Sequence, residues 1–598
     1  MFFSSFYGIY LNMEYALKER IGKPDLFTGR KKELAYFLNW INRIKDELSR
    51  STAILARRKM GKTAFLERLF NITYYNNDQI IPFYYEIKAN RIWQVDFCKD
   101  FFLTFIYQYI AFKTRKVEYL TPADKTDLKK AIHVAEKEGF SYLVEFIEGI
   151  KHAADHESLD SLWLMVRDAP RAIATRRGEF IVQMIDEFQF LNAMIYRDKN
   201  FNPDSLANDM AAGYLNLAES KIAPLLVSGS WVGWLMDDLT KMLPTRFMYH
   251  YLKNMPEDEA IETVFKYSGA LGVPITGETA YMIAKMSEGN PFYICSILGS
   301  RYPEKNLTTL KGLTATLEFE TLDNEGQIKS TWMEYVLAAF NKVNQKKAKS
   351  IVLYLCQHRD REVTRKELLE ELSLDMDDQE LEEKLKALIN ADIINQGRTN
   401  YDYQGVQDNI FDKVFRGVYE KEIQEFDVSI IAKEYQKAFQ KIKRQYQRLL
   451  GKLNYQQGYF AEFMILILLN YRARKMNEQL KRVTRYLPVD FNFCDYARVW
   501  RYDAAMEYSR PFNVDIFARA KSANDYSIIA EIKNRETTKF SKDEVRSFME
   551  KFAALKKLEK LERVIPFIFS PAGFTKEAEA YCQEMGIACS ENNLWLEN

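Results

Sequence analysis

The chain has 598 residues, of which 47% are hydrophobic and 28% charged, proportions that exclude the disordered and collagen-like classes. Its 84 lysines and arginines balance 83 aspartates and glutamates, so affinity for nucleic acid or an anionic membrane has to come from local patches. Six scattered cysteines without a C-x-x-C pair, and only five histidines, indicate neither a disulfide framework nor a zinc cage.

No apolar run approaches the roughly 18 residues that a membrane-spanning helix needs. The N-terminus is apolar but lacks the basic segment and the small-residue cleavage site of an export signal. We therefore expect a cytoplasmic protein with reduced cysteines and no membrane partner.

Changes in pattern along the chain predict a multidomain α/β protein of about four modules. Short apolar runs alternate with helical stretches in the first half, which is the pattern of a sheet covered by helices, and strands return near the C-terminus. The expected divisions are an N-terminal segment at 1–25, a core at 26–245 with a helical insert at about 97–177, a helical region at 246–344, three short helices and a hairpin at 345–426, a basic helical region at 427–485 and a second α/β domain at 486–598.

A phosphate-binding loop is predicted where the apolar strand at 53–55 runs towards a helix. The connecting residues are Ala56, Arg57, Arg58, Lys59, Met60, Gly61, Lys62 and Thr63. They match the template G-x-x-x-x-G-K-[ST], in which backbone N–H groups surround phosphate oxygens, the lysine contacts the β- and γ-phosphates and the hydroxyl binds Mg²⁺. Ala56 stands in place of the first glycine, so we expect the loop to be slightly altered there.

A second motif completes the predicted nucleotide site. Residues 180–187 form a mostly apolar run that ends in the adjacent acids Asp186 and Glu187. A continuous apolar run suits a strand that is covered on both faces. We expect Asp186 to hold Mg²⁺ together with Thr63, and Glu187 to activate the attacking water as a general base. The two motifs in this order predict binding and hydrolysis of ATP, with Mg²⁺ as the cofactor.

Five segments together carry a resemblance to a known family. They are FTGRKKEL (27–34), RRKMGKT (57–63), MIDEFQ (184–189), LVSGS (226–230) and SEGNPFYI (287–294). In this order they resemble the archaeal-type STAND branch of the AAA+-like P-loop ATPases, over roughly residues 25–340. The resemblance implies a parallel sheet with a helical lid, which the Gly-Asn-Pro motif at 289–291 closes over the nucleotide, and an ATP-controlled switch coupled to an effector domain.

The resemblance also assigns roles around the γ-phosphate. It implies that the strand at 225–230 lies between the P-loop strand at 53–55 and the Walker B strand, which is the apolar run at 180–187, so that Ser230 senses the γ-phosphate; a capped strand end is the alternative. Arg246 is a candidate arginine finger, acting within the chain or on another copy, and a plain surface arginine is an equally open alternative. Ala56 and the long stretch between the two nucleotide motifs depart from the family pattern.

The segment at 345–426 resembles a winged helix, with three short helices followed by a hairpin. Its third helix, at 377–390, holds five acids against Lys384 and Lys386, a net charge of −3 that DNA phosphates would repel. We therefore favour a module that packs on the ATPase and relays the nucleotide state, over a module that reads DNA.

The C-terminal domain combines two acids and a lysine in the pattern of a metal site. Strand alternation predicts that one face of the strand at 512–517 carries Phe512, Val514 and Ile516 and the other carries Asn513, Asp515 and Phe517. In the next strand Glu531 and Lys533 share a face, so antiparallel pairing brings Asp515 beside Glu531. Two carboxylates suit Mg²⁺ or Mn²⁺, and the lysine would orient water and offset phosphate charge.

This pattern, D-x₁₅-E-x-K, resembles the PD-(D/E)xK superfamily of nucleases over about residues 450–598. Val514 stands where that family usually has proline. Glu462, a single acid inside an apolar helix, matches an additional acid that some members contribute. The resemblance implies a restriction-endonuclease-like α/β fold in which Asp515, Glu531 and Glu462 hold the metal and Asp515, Glu531 and Lys533 are catalytic.

Basic helices beside this domain predict a DNA-binding surface at 433–485. Tyrosines at 435, 446 and 455 are interleaved with the cations, and the acids are Glu434 and Glu478. The cations are Lys433, Lys437, Lys441, Lys443, Arg444, Arg448, Lys452, Arg472, Arg474, Lys475, Lys481, Arg482 and Arg485. A solvated helix face is the alternative interpretation.

The sequence as a whole predicts an ATP-switched, metal-dependent DNA nuclease, with genome defence or control of mobile elements as the role implied by analogy. The expected partners are ATP, DNA and further copies of the chain. One rival is a regulatory STAND-type ATPase whose C-terminal domain binds DNA or a protein without cleaving. Another is a nucleotide-dependent scaffold whose insert at 97–177 captures a protein ligand.

Overall fold

The computed structural model describes residues 16–121, 127–229, 235, 239, 241–343, 347–399, 401–423, 429–503, 512–535 and 537–597. The chain divides between Ile442 and Lys443 into two compact units. This division falls inside one helix, Ser429–Tyr471, and not at the expected boundary after residue 426. Within the described residues, no helix is long and apolar enough to cross a membrane.

A five-stranded parallel sheet lies at the centre of the first unit. Its strands, in the order β2-β4-β6-β1-β7, are β1 (Thr52–Leu55), β2 (Ile80–Glu86), β4 (Phe180–Asp186), β6 (Leu225–Gly229) and β7 (Met248–Tyr251), and a separate short pair is formed by β3 (Ile92–Trp93) and β5 (Ile195–Tyr196). Every residue of β1 and β6 is buried, because helices cover both faces of a parallel sheet. The pairing of β7 with β1 extends the core beyond the expected end at residue 245.

The predicted helical insert is part of this core. The helices around the sheet are α1 (Lys31–Asn42), α2 (Lys62–Asn76), α3 (Gln94–Thr114), α4 (Leu128–Lys137), α5 (Ser141–Asp155) and α6 (Leu159–Arg177). The ring of Phe83 on β2 packs against those of Phe101 and Phe105 on α3, with centroids 5.1 and 5.2 Å away. These contacts fix the insert to the β2 edge of the sheet.

Helices follow β7, as the sequence predicts. They are α7 (Glu257–Leu271), α8 (Gly277–Met286), α9 (Pro291–Leu298), α10 (Leu310–Leu322) and α11 (Gln327–Val343). Asn290 caps α9 by accepting the N–H of Phe292, and Pro291 occupies the first helical position. Gly289 has a φ of 74°, and a Cβ there would lie 2.2 Å from the carbonyl oxygen of Met255, so the site requires glycine.

Short helices and a small sheet complete the first unit. In chain order they are α12 (Ala348–Gln357), β8 (Val363–Thr364), α13 (Arg365–Glu371), α14 (Asp378–Asn390), β9 (Ile394–Gln396), β10 (Asp402–Gly405) and α15 (Asn409–Ile423). The strands pair antiparallel in the order β8-β10-β9. One hydrophobic core, including Phe340, Phe411, Tyr435 and Phe439, joins this segment to the preceding helices and to the first turns of the helix Ser429–Tyr471.

The second unit is a five-stranded mixed sheet with helices on both faces. Its elements are the later part of α16 (Ser429–Tyr471), α17 (Asn477–Arg482), β11 (Tyr496–Asp503), β12 (Asn513–Ala520), β13 (Ser527–Ile532), α18 (Lys542–Leu558), β14 (Val564–Phe569), α19 (Lys576–Met585) and β15 (Ala588–Ser590). The strands follow chain order; β11-β12-β13 pair antiparallel and β13-β14-β15 parallel. Ile465 of α16 belongs to the core on one face, and Phe548 of α18 to the core on the other.

Candidate functional site

The predicted phosphate loop connects β1 directly to the N-terminus of α2. Gly61 precedes the helix with a φ of 80°, a conformation that glycine adopts without strain. The free N–H groups of the first turn and the helix dipole make such a terminus a site for anions. The local structure is therefore the one that the motif at 56–63 predicts.

The ammonium group of Lys62 is buried within this loop. Its Nζ donates to the carbonyl oxygens of Ala56, at 2.8 Å, and Arg57, at 3.0 Å. Burial lowers the pKa of Lys62 to about 8, although the negative charges of Glu187 and Asp186 oppose the shift. The amine is thus held at the loop by two neutral backbone carbonyl oxygens.

The carboxylate of Asp186 joins the ends of three segments. It accepts a hydrogen bond of 2.6 Å from the hydroxyl of Thr63, another from the hydroxyl of Ser228, and a third of 2.9 Å from the N–H of Glu187. A hydroxyl and a carboxylate are hard oxygen donors of the kind that Mg²⁺ prefers. Thr63 and Asp186 therefore fit the metal that the motif implies.

Ser228 is a residue whose role sequence reasoning missed. The expected sensor, Ser230, lies outside the described residues, whereas Ser228 is fully buried on β6 and contacts Asp186. Because β6 lies between β4 and β1, its side chains reach those of the Walker B strand. A hydroxyl one residue before the strand end was the available signal.

Glu187 follows the Walker B strand in a left-handed conformation, with a φ of 55°. Its carboxylate accepts a hydrogen bond from the side-chain amide of Gln189. Such a backbone conformation is uncommon for a residue with a side chain and is found often at functional positions.

Most of the predicted nucleotide residues line one cavity of about 910 Å³. Its walls are formed by Arg20, Arg58, Lys59, Met60, Gly61, Lys62, Thr63, Ala64, Glu86, Ile87, Ala89, Glu187, Phe190, Asn192, Ala193, Met194, Leu206, Glu334 and Tyr335. The volume lies within the range of ligand sites, and the lining brings together the loop, the acid after β4 and helix α11.

The strand order and this loop decide the fold of the first unit. β6 separates the strand of the phosphate loop from the strand that ends in Asp186, and Thr63 in the first turn of α2 meets Asp186 at the carboxyl end of β4. This is the P-loop NTPase fold.

No family model and no curated protein sequence matches the chain. Among solved structures, the chain is similar to the Walker-type ATPase Paby2304 of Pyrococcus abyssi, with 13% identity, 67% of this chain and 97% of that chain covered and a TM-score of 0.42. It is also similar to the ORC2 protein of Aeropyrum pernix, with 10% identity, coverage of 68% and 99% and a TM-score of 0.35. For the RuvB Holliday junction branch migration motor of Thermotoga maritima the identity is 14%, the coverage 69% and 100% and the TM-score 0.30.

The side chain of Arg57 points from the loop to the segment after α14. Its Nε donates to Asp392 at 3.1 Å, and its Nη1 lies 3.6 Å from an oxygen of Asp408. Burial would lower the pKa of Arg57, but the two carboxylates outweigh it and raise the pKa. The side chain of Arg57 is thus held by two carboxylates, and its contact with the nucleotide stays a prediction.

Two neighbouring cations of the loop face aromatic rings. The guanidinium of Arg58 lies 4.1 Å from the ring centroid of Tyr335, and the ammonium of Lys59 lies 5.4 Å from that of Phe292.

Arg246, the candidate arginine finger, pairs with Glu219 at 2.7 Å. Its role as a finger stays a prediction.

In the second unit, Asp515 and Glu531 meet at one ammonium group, as predicted from the strand pairing. The Nζ of Lys533 lies 2.8 Å from Glu531 and 3.6 Å from Asp515. Asp515 also accepts the N–H of Ile532 at 2.8 Å. Burial, and then the charge of Glu531, raise the pKa of Asp515; burial would lower that of Lys533, but the two carboxylates raise it.

The predicted strict alternation of the strand at 512–517 is wrong. Trp500 pairs with Phe517 and Tyr502 pairs with Val514. The chain therefore advances by two residues on β11 and by three residues on β12 between these pairs, which is a β-bulge. This bulge places Val514 in the same core as Phe517, whereas Ile516 packs on the other face. Bulges re-aim side chains, and this one lies at Asp515 and Ile516.

Glu462 and Lys551 lie beside the cluster formed by Asp515, Glu531 and Lys533. Glu462 pairs with Arg501 at 3.3 Å, and burial, then the charge of Asp515, raise the pKa of Glu462 to about 7. Lys551 of α18, which sequence reasoning missed, lies 3.3 Å from Glu531. In the part of the chain that the structure describes, no three His, Cys, Asp or Glu side chains are grouped to hold a metal, so the predicted set of three acids is not assembled.

The basic region divides between the two units. Lys433, Lys437 and Lys441 are exposed in the first unit, and Arg444, Arg448 and Lys452 in the second. Tyr435 is fully buried in the core of the first unit, so it is not on this surface as expected. Arg474 and Arg485 pair with Asp495 and Glu579, respectively.

Proposed function

We propose that the protein binds and hydrolyses ATP as a switch that controls a metal-dependent DNA nuclease. The observation that carries the first part is the hydrogen bond between Thr63 and Asp186 beside buried Lys62, at the wall of a cavity of ligand size. P-loop geometry and the Walker B acid are then in one place, with the donors that a nucleotide and Mg²⁺ require.

The residues at this site have distinct roles in the proposal. Lys62 supplies positive charge to the phosphates, and Thr63 and Asp186 would hold Mg²⁺, which neutralises phosphate charge when bound. Glu187 accepts a proton from the attacking water. The backbone N–H groups of the loop hold the phosphates through the helix terminus.

A helical lid and a winged helix are the proposed route from nucleotide to effector. Asn290 of the Gly-Asn-Pro motif contacts Met60 of the loop, with 3.5 Å between its Nδ2 and the sulfur. Arg57 binds Asp392 and Asp408, which flank the hairpin of the segment resembling a winged helix. Its acidic helix α14 pairs Lys386 with Glu382 at 2.7 Å, so this lysine offers little net charge to DNA.

The nuclease part of the proposal is supported by the contacts of Asp515 and Glu531 with Lys533. The two carboxylates would hold a divalent metal, which supplies activated water when bound. Lys533 is placed to neutralise charge at the phosphate that is cut. Exposed cations such as Arg444, Arg448 and Lys452 would contact the DNA backbone.

The experiment that tests the proposal is cleavage of linear and circular DNA with Mg²⁺ or Mn²⁺, measured with ATP, with ADP and without nucleotide. We expect cleavage whose rate depends on the nucleotide. Cleavage that is equal in all three states would refute the switch. ATP hydrolysis with no cleavage under any condition would favour the alternative, a regulatory ATPase whose C-terminal domain binds DNA or protein without cutting.

A further inference from the structure

In the second unit, the helix α16 carries a seven-residue repeat of mostly apolar residues. The spacing alternates between four and three residues, which is the a/d pattern of a coiled coil. In this pattern the d, a, d, a, d and a positions are Leu449, Leu453, Gln456, Phe460, Phe463 and Ile467. A repeat of 3.5 residues keeps its members on one seam when two helices supercoil.

Most of the seam lies on the surface, and Ile467 at its end is half-buried. The exposed fractions are 48% for Leu449 and Leu453, 58% for Phe460 and 50% for Phe463. The other side of the same helix is packed, because residues such as Ile465 are fully buried in the core of the second unit. A row of large exposed apolar side chains on a folded protein marks an interaction surface.

Three residues of the seam and the neighbouring Tyr459 form a hollow. Gln456, Tyr459, Phe460 and Phe463 line a hollow of about 330 Å³. They are the d, g, a and d positions of successive heptads, a set of four that receives the knob of a facing helix. In a parallel pair in register, that knob is the Phe460 of a second copy.

We propose that two copies of this chain pair in parallel and in register through the seam from Leu449 to Ile467. Gln456, the polar member of the seam, supports this orientation. In register, each Gln456 meets its own equivalent, and the two amides can hydrogen-bond to each other. An antiparallel pair sets d against a residues, which would leave this amide buried against Leu453 or Phe460 without a partner.

Charge and area are also compatible with a second copy. Lys452 at a g position faces Gln457 at the e position of the partner helix in a parallel pair, so like charges do not meet.

Seven large apolar side chains between 449 and 471 are exposed. At roughly 100 Å² each they offer on the order of 700 Å² per copy, near the ~800 Å² per partner of a stable interface.

The test is the mass of the full chain by sedimentation without nucleotide. We expect twice the 70.3 kDa of one chain. Leu453→Lys and Phe460→Lys each bury a charge in the seam and should weaken pairing by at least about 100-fold. Gln447→Lys adds the same charge at an exposed position of the same helix outside the seam, and should leave the mass unchanged.

Two more measurements test whether the two copies pair through this seam and in parallel register. Lys62→Ala should remain dimeric, because the seam does not involve the nucleotide site. Gln456→Cys should form a disulfide-linked dimer under mild oxidation, whereas Gln447→Cys should not. Circular dichroism melting compares the folding of each variant with that of the wild type.

Several results would overturn the proposal. A wild-type chain that is monomeric at tens of micromolar excludes the pair, as does a Phe460→Lys variant that keeps the doubled mass. If this variant keeps its mass but loses DNA affinity, the exposed rings contact bases and not a second copy. A dimer that does not cross-link at Gln456→Cys refutes the parallel register.

Discussion

The guanidinium of Arg57, inside the phosphate loop, donates a 3.1 Å hydrogen bond to the carboxylate of Asp392, which lies 335 residues later in the chain. Asp392 stands between helix α14 and the hairpin, with a left-handed φ of 62°. Its burial raises its pKa, and Arg57 opposes that shift. The loop that is proposed to hold phosphate is thus tied directly to the segment that resembles a winged helix.

Asp392→Asn should destabilise the first unit. The substitution keeps the shape of the side chain but leaves Arg57 with a single carboxylate, that of Asp408. Removing one charge from a buried pair should lower the free energy of unfolding by about 2 kcal/mol, measured by urea denaturation. Asp360→Asn, at an exposed position, is the matched control and should change stability by less than about 0.5 kcal/mol.

Lys62→Ala should abolish nucleotide binding. The variant removes the ammonium group from the loop and leaves the backbone N–H groups in place. We expect the affinity for Mg-ATP to fall by at least about 100-fold, or ~2.8 kcal/mol, in titration calorimetry. Lys45→Ala, an exposed lysine outside the cavity lining, serves as the control. Equal affinity in Lys62→Ala and wild type would refute the assignment of the loop.

Glu187→Gln should separate binding from turnover. The amide cannot accept the proton of the attacking water, but it preserves the loop and the Thr63–Asp186 contact. The dissociation constant of ATP should stay within about threefold, and hydrolysis should fall by about 100-fold or more in a phosphate-release assay. A variant that keeps full turnover would show that another group is the base.

Asp515→Asn and Glu531→Gln should each abolish DNA cleavage with Mg²⁺ or Mn²⁺, because each removes a charged metal ligand. Lys533→Ala should slow cleavage while metal binding, measured by calorimetry, is retained. DNA binding should survive in all of these variants and weaken steeply with salt, as counterion release requires. Asp543→Asn, whose carboxylate is almost fully exposed in the same unit, should cut like the wild type.

Glu67→Gln should remove a pH dependence of stability. Burial raises the pKa of Glu67 from an ordinary 4.5 to about 7. Between pH 4.5 and about pH 7, the Glu67 carboxyl is protonated in the folded chain and ionised in the unfolded chain. Its contribution to the free energy of unfolding therefore falls as the pH rises through this range.

The melting temperature of Glu67→Gln should accordingly rise relative to the wild type from pH 5 to pH 8, by an amount that corresponds to on the order of 2 kcal/mol. Scanning calorimetry at a series of pH values measures this difference. A constant difference across that range would contradict the prediction.

The local chemistry of both sites follows from the sequence by itself. Gly61, Lys62 and Thr63 between a strand and a helix specify a phosphate loop, since its hydrogen bonds come from adjacent backbone groups. The approach of Asp515 to Glu531 also follows, because antiparallel pairing sets neighbours from the strand pattern alone.

Tertiary structure decided what depends on distant segments. The bulge at Asp515 and Ile516 comes from pairing with β11, and the direction of Arg57 comes from Asp392. The choice of Ser228 as the partner of Asp186 depends on the position of β6 between two strands. The seven-residue repeat of α16 can be read from the sequence. Only the packing within each unit shows that Tyr435 is buried and Phe460 is exposed, because burial depends on which other elements pack against each turn.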